Sequence, residues 1–117
     1  MSPETRRRVV DAVDRILNRG GDADDVLRAV VSTLVERGGA RWAGILFAEG
    51  EDFVLGPEAG EPDETRRLYV PIIYRGEQVG VLAVDRAPEI ELLERVAVLI
   101  SAHVLLGWDT GGERWTP

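Results

Sequence analysis

The chain contains no cysteine and no lysine, and only one histidine and one methionine in 117 residues. Without cysteine there are no disulfides, no thiolate metal ligands and no thiol chemistry. All 14 basic residues are arginine, a compositional bias that carries no functional reading of its own. No apolar run follows Met1, so no signal peptide is evident. The longest apolar stretch, Val96 to Leu106, is interrupted by Ser101 and His103 and is too short to span a bilayer. These absences lead us to expect a cytoplasmic protein with no membrane contact. Excess positive charge is missing as well. The net charge of −7 argues against a nucleic-acid-binding surface. The one basic cluster, Arg6-Arg7-Arg8, would fan around a helix axis and reads as a solvated helix end.

Recognisable catalytic and metal-binding patterns are also lacking. No nucleophile elbow accompanies the lone His103, which reads as a packed or interface histidine. Glu58, Glu61, Asp63 and Glu64 lack EF-hand spacing and read as a solvated acidic loop. The run Leu55-Gly-Pro-Glu-Ala-Gly60 has neither the lysine nor the following helix of a phosphate loop. We therefore expect neither a metal nor a cofactor.

What is present organises into a single domain over residues 1–117, the length suiting one core. Ser2-Pro3-Glu4 starts a helix, with serine at the N-cap and proline at N1. Val9, Val10, Val13, Ile16 and Leu17 follow at helical spacing, and Gly20-Gly21 ends it. Asp22 is the expected cap of a second helix carrying Val26, Leu27, Val30, Val31, Leu34 and Val35. Strands are expected over Trp42 to Ala48 and, briefly, Phe53 to Leu55. Gly56 to Thr65 shows no apolar pattern and reads as a loop. Arg67 to Ile73 and Glu77 to Asp85 read as a β-hairpin. A third helix begins near Pro88 and Glu89 and is expected to end at Leu106, closed by Gly107. It leaves 108–117 as a tail, read as extended. The class is α+β, an antiparallel sheet with helices packed on one face.

Strand alternation divides the sheet into two faces. One carries Ala43, Ile45, Phe47, Leu68, Val70, Ile72, Tyr74, Gly80, Leu82 and Val84, and should lie under the helices. The other carries Trp42, Gly44, Leu46, Arg67, Tyr69, Pro71, Ile73, Val79, Val81, Ala83 and Asp85. That mixture suits either a shallow pocket or a half-exposed sheet face under a loop. A three-residue hairpin loop, Tyr74-Arg75-Gly76, would set Ile73 opposite Glu77 and Arg67 opposite Ala83. Asp85 would then lie diagonal to Arg67, within reach of an ion pair.

Over roughly residues 5–106 the chain resembles a GAF domain, and in particular the small bacterial GAF proteins that reduce free methionine-R-sulfoxide. The resemblance rests on Trp42-Ala-Gly44, on Leu55-Gly-Pro57 with Gly60 and Pro62, on Val70-Pro-Ile72, and on Val79-Gly-Val-Leu82 followed by Val84-Asp85. It implies a GAF-like antiparallel sheet. The departures are equally informative. Those reductases work through cysteines that this chain lacks, and their cysteine-bearing segment is reduced here to the few polar residues between Pro62 and Arg66. The family's pocket tryptophan is kept at Trp42. Its tyrosine falls on Leu46, its glutamate on Arg67 and one of two aspartates on Ala83, leaving Asp85. An ammonium site of three carboxylates would thus keep one and gain a cation, a shift of about three charge units. Reductase chemistry is not expected, and the protein reads as a non-enzyme.

The expected role is a non-catalytic binding or signalling module with a small metabolite near Trp42, Arg67, Tyr69 and Asp85. One exposed cation would favour a small carboxylate or other partly anionic metabolite over an amino acid. The alternative is an interaction scaffold whose pocket is vestigial, closed by Arg67–Asp85. The third helix is apolar around most of its circumference, more than one sheet can cover. Its second side is covered either by the first helix and the tail or by a second subunit, and a homodimer through the terminal helices is the expectation.

Overall fold

The structure, a computed structural model, describes residues 2–87 and 89–113, with side chains described to residue 107. Two helices open the chain, α1 (Pro3–Arg19) and α2 (Ala23–Glu36), followed by strands β1 (Trp42–Glu49) and β2 (Asp52–Gly60). A single 3₁₀ turn at Glu64–Arg66 leads into β3 (Arg67–Tyr74) and β4 (Glu77–Asp85), and α3 (Ile90–Glu113) closes the fold. The strands form one antiparallel sheet in the order β2-β1-β4-β3. Helices α2 and α3 lie on the sheet, and α1 packs against both of them.

The helix signals act as their chemistry dictates. The Ser2 hydroxyl accepts from the Thr5 amide at 3.1 Å, and Gly20 leaves α1 with φ 76°, a conformation glycine adopts without penalty. Asp22 occupies the N-cap of α2, but its side chain makes no capping hydrogen bond. Val9, Val13 and Ile16 of α1, five apolar residues of α2, and Leu92, Leu93, Val96, Ile100 and Val104 of α3 fill one continuous core. The sheet contributes Ala43, Ile45, Phe47, Val70, Ile72, Leu82 and Val84. That is the helix-covered face read from the alternation, with two exceptions. Leu68 is 40% exposed beyond the end of the helical layer, and Tyr74 is only half-buried.

Three sequence expectations need correcting. First, β2 runs on through Gly60 where a loop was expected. Its Gly and Pro residues serve a bulge: the β1–β2 register shifts between Gly44 and Leu46. A Cβ on Gly56 would come to 2.1 Å from the Phe47 ring, and one on Gly60 to 2.2 Å from the Arg41 carbonyl. The residues that look like a loop are those that let this edge strand approach its neighbours.

Second, the hairpin turns in two residues. Arg75 and Gly76 both have positive φ, 52° and 83°, the combination of a type I′ turn. Tyr74 therefore faces Glu77 and Ile73 faces Gln78. A bulge at Val79 then shifts the register, so Ile72 faces Gly80 and Arg67 faces Asp85 directly. Third, α3 does not stop at Gly107 but continues to Glu113, taking in most of the stretch expected to be an extended tail. Gly107 marks close packing: a Cβ there would meet Leu27 at 3.2 Å and Phe47 at 3.5 Å. Residues 114–117 lie outside the described ones. No helix among the described residues is long and apolar enough to cross a membrane.

Candidate functional site

The register stacks three rows across the uncovered face of the sheet. The first is Gly60–Trp42–Asp85–Arg67, the second Glu58–Gly44–Ala83–Tyr69, and the third Leu55–Leu46–Val81–Pro71. Between these rows and the loop after β2 lies a cavity of about 220 Å³. Trp42, Ala83 and Arg67 line its inner end, and Leu46, Leu55 and Tyr69 its apolar wall. Glu58, Pro62 and Glu64 complete the rim. The volume is below the ~300–1,000 Å³ of sites for drug-sized ligands, so any occupant is small.

Of the four residues expected at the site, Trp42, Arg67 and Tyr69 line the cavity, whereas Asp85 lies behind Arg67 and is not part of the lining. Asp85 is fully buried. Arg67 donates to it twice, Nε to Oδ1 at 2.6 Å and Nη2 to Oδ2 at 2.9 Å. The expected ion pair is therefore present, straight across the ladder instead of diagonal. Beyond Asp85 the guanidinium lies over the Trp42 ring, 4.3 Å from its centroid. Gly44 makes this possible, because a Cβ there would come to 2.5 Å from the indole. The indole Nε1 in turn donates to Glu58 Oε1 at 2.9 Å. Tyr69 stands at the mouth, 62% exposed.

The short segment after β2 is tied down by the same carboxylate. The Asp63 amide donates to Asp85 Oδ2 at 2.5 Å. The Asp63 side chain accepts from the Thr65 hydroxyl at 2.6 Å and from Arg86 Nε at 2.7 Å. Arg86 holds a positive φ of 55° while its amide donates to the Arg66 carbonyl at 2.9 Å. A side chain so placed carries backbone strain that the surrounding contacts must offset. These contacts set the acidities. The Arg67 hydrogen bonds, helped by the Asp63 amide, hold the Asp85 carboxyl below the usual range despite its burial. The Thr65 hydroxyl and then Arg86 lower Asp63 to about 2. Asp85 raises Arg67 further above its already high value.

The charge balance differs from the sequence expectation. Arg67 is not an exposed cation: its side chain is only 15% exposed and its charge is matched by Asp85. Two rim carboxylates were missed, Glu58 because β2 was read as loop, and Glu64 because no periodicity marks it. Neither makes an ion pair among the described residues. The alternation of β2 past its bulge was the signal that could have found Glu58. The small carboxylate favoured from the sequence would therefore meet net negative charge. His103 does not line the cavity; it is half-buried on α3, with Nδ1 lacking a hydrogen-bond partner among the described residues. No group of three or more acidic or histidine side chains that could hold a metal occurs among the described residues.

No family model matches the sequence, and no curated protein matches it. Solved structures do. Free methionine-R-sulfoxide reductase from Neisseria meningitidis, in complex with its substrate, is 16% identical with a TM-score of 0.72. The match covers 94% of this chain and 95% of that one. The GAF domain of a phosphoenolpyruvate-protein phosphotransferase from Coxiella burnetii is 13% identical with a TM-score of 0.75, covering 96% and 99%. The corresponding domain from Acinetobacter gives 16%, 0.66, 96% and 99%. The fold is GAF-like, a four-stranded antiparallel sheet with three helices on one face.

Proposed function

We propose that this chain is a non-catalytic GAF-type module that binds a small molecule in the cavity above Trp42 and acts in the cytoplasm as a homodimer. The observation that carries the reading is the cavity itself. Three consecutive rows of the sheet place a stacked Trp42–Arg67 pair, an apolar wall and Glu58 around one small space on a GAF-like fold, and the turn before β3 adds Glu64. The similar Neisseria reductase was solved with its substrate bound, which supports a small-molecule site on this fold. The non-catalytic part rests on the sequence, which has no thiol and no base–nucleophile pair to start a reaction.

The dimer rests on apolar surface. Val98 is 67% exposed and Leu106 55% on α3, while Ile73 is 47% exposed on the edge strand β3. A second hollow of about 210 Å³ lies between these elements, with Ile73, Pro71 and Val98 among its lining. Apolar residues clustered in this way favour a partner surface.

The alternative, a scaffold with a closed pocket, is favoured by the Asp63–Asp85–Arg67 tie that draws the short loop onto the sheet end. A melting screen against a metabolite panel separates the two. A ligand at a hundredfold excess over its Kd adds about 2.7 kcal/mol, a shift that Trp42→Ala should abolish. A flat screen, with Trp42→Ala changing only stability, would establish the scaffold.

A further inference from the structure

The cavity carries a charge signature that narrows its ligand, granted that it binds one. Glu58 uses one carboxylate oxygen, Oε1, to accept from the Trp42 indole, and Oε2 makes no hydrogen bond among the described residues. Glu64 makes no ion pair there either, although its charge acts on Arg67 from beyond contact distance. Arg67, the one cation among the described lining residues, already donates through Nε and Nη2 to Asp85 and covers Trp42 with its flat face. A ligand carboxylate would compete with a fully buried Asp85 for that guanidinium and would face two unmatched carboxylates on the rim. A ligand ammonium meets the reverse situation: two free acceptors and the exposed ring of Tyr69, whose face attracts cations. Leu46 and Leu55 supply apolar wall for a hydrocarbon body.

We propose that this cavity selects small organic amines without a carboxylate, the ammonium held by Glu58 and Glu64 and the hydrocarbon lying against Leu46, Leu55 and Tyr69. The inference rests on the ligand-binding reading above and adds the sign of the ligand to it. Selection arises from repulsion as much as attraction, since an added carboxylate brings like charges together.

Matched probes test this on the full chain by isothermal titration at low salt. The amines are phenethylamine and isoamylamine. Phenylalanine and leucine add a carboxylate to the same skeletons, 3-phenylpropionate and 4-methylpentanoate keep only the carboxylate, and N-acetylphenethylamine removes the charge. At least one amine should bind about tenfold or more tighter than each of its counterparts, a difference of ~1.4 kcal/mol. That binding should fall about tenfold in the Glu58→Gln/Glu64→Gln double variant. Both positions are exposed, and the amide oxygen introduced by Glu58→Gln can still accept from the indole, so the variant should melt as the parent does. Tighter binding of a carboxylate or amino acid would overturn the amine assignment and leave the binding module standing. Equal binding by parent and double variant would overturn the assigned carboxylates. No binding by any probe of either sign would overturn the amine assignment, and a flat metabolite screen alongside it would overturn the module as well.

Discussion

Replacing Arg67 by methionine should be among the most damaging single changes outside the core, and it should reverse how stability responds to acid. The substitution keeps the length and apolar stem of the side chain but removes both hydrogen bonds to Asp85. Asp85 is fully buried, so the remaining carboxylate would have only the Asp63 amide as partner. Breaking one side of a buried pair typically costs ~3–5 kcal/mol. Arg67 keeps some water access, at 15% side-chain exposure, which places the expected loss near ~3 kcal/mol at neutral pH. In the parent, Asp85 titrates below its unfolded value because of Arg67. Its contribution is therefore complete above about pH 4 and is lost as pH falls through the lowered folded value. In Arg67→Met the main lowering influence is gone, and burial together with the neighbouring Asp63 charge should push the folded value above the unfolded one. The folded variant then takes up a proton first, so its stability should rise as pH falls from 7 towards 4. Urea unfolding across pH 3–7 reads both slopes. A variant losing under ~1 kcal/mol at pH 7, or one whose stability falls with acid in parallel with the parent, would refute the claim that this carboxylate is both ionised and desolvated.

Adding Asp85→Leu to Arg67→Met should recover much of the loss, since an apolar pair leaves no buried charge; a double-mutant cycle showing strict additivity would contradict the coupling. Gly56→Ala places a Cβ within 2.1 Å of the Phe47 ring and should cost ~1–3 kcal/mol, read by denaturant midpoint. Leu82→Ala, at a fully buried position, should cost ~2–5 kcal/mol in the same assay. Val98→Arg, at an exposed position on α3, should leave the melting point of the monomer intact and shift light scattering towards 12.9 kDa particles; a parent that already scatters as a 12.9 kDa particle at micromolar concentration would remove the dimer.

Which parts of the site were legible follows from what each signal measures. Side-chain alternation is a local property, so the facing of Trp42, Arg67, Tyr69 and Asp85 towards one surface could be read from their spacing, as could the helix-covered face around Ile45, Val70 and Leu82. Register is not local. It depended on a turn that Arg75 enters at positive φ and on a bulge at Val79, and together these moved Arg67 two places along its partner strand. Glu58 escaped for a related reason: Gly56, Pro57 and Gly60 resemble a loop until Phe47 and Arg41 are seen to need the space. Gly107 likewise resembles a helix stop until Leu27 and Phe47 are found beside it.

By itself, then, the order of residues determined the helices, the faces of the strands and the exclusion of thiol chemistry, because each is settled by neighbours in the chain or by composition. Only the tertiary structure decided the sign of the site. The charge around the cavity is the sum over groups from β2, β3, β4 and the turn before β3, and burial under the Trp42–Arg67 stack determines which of those charges is already matched.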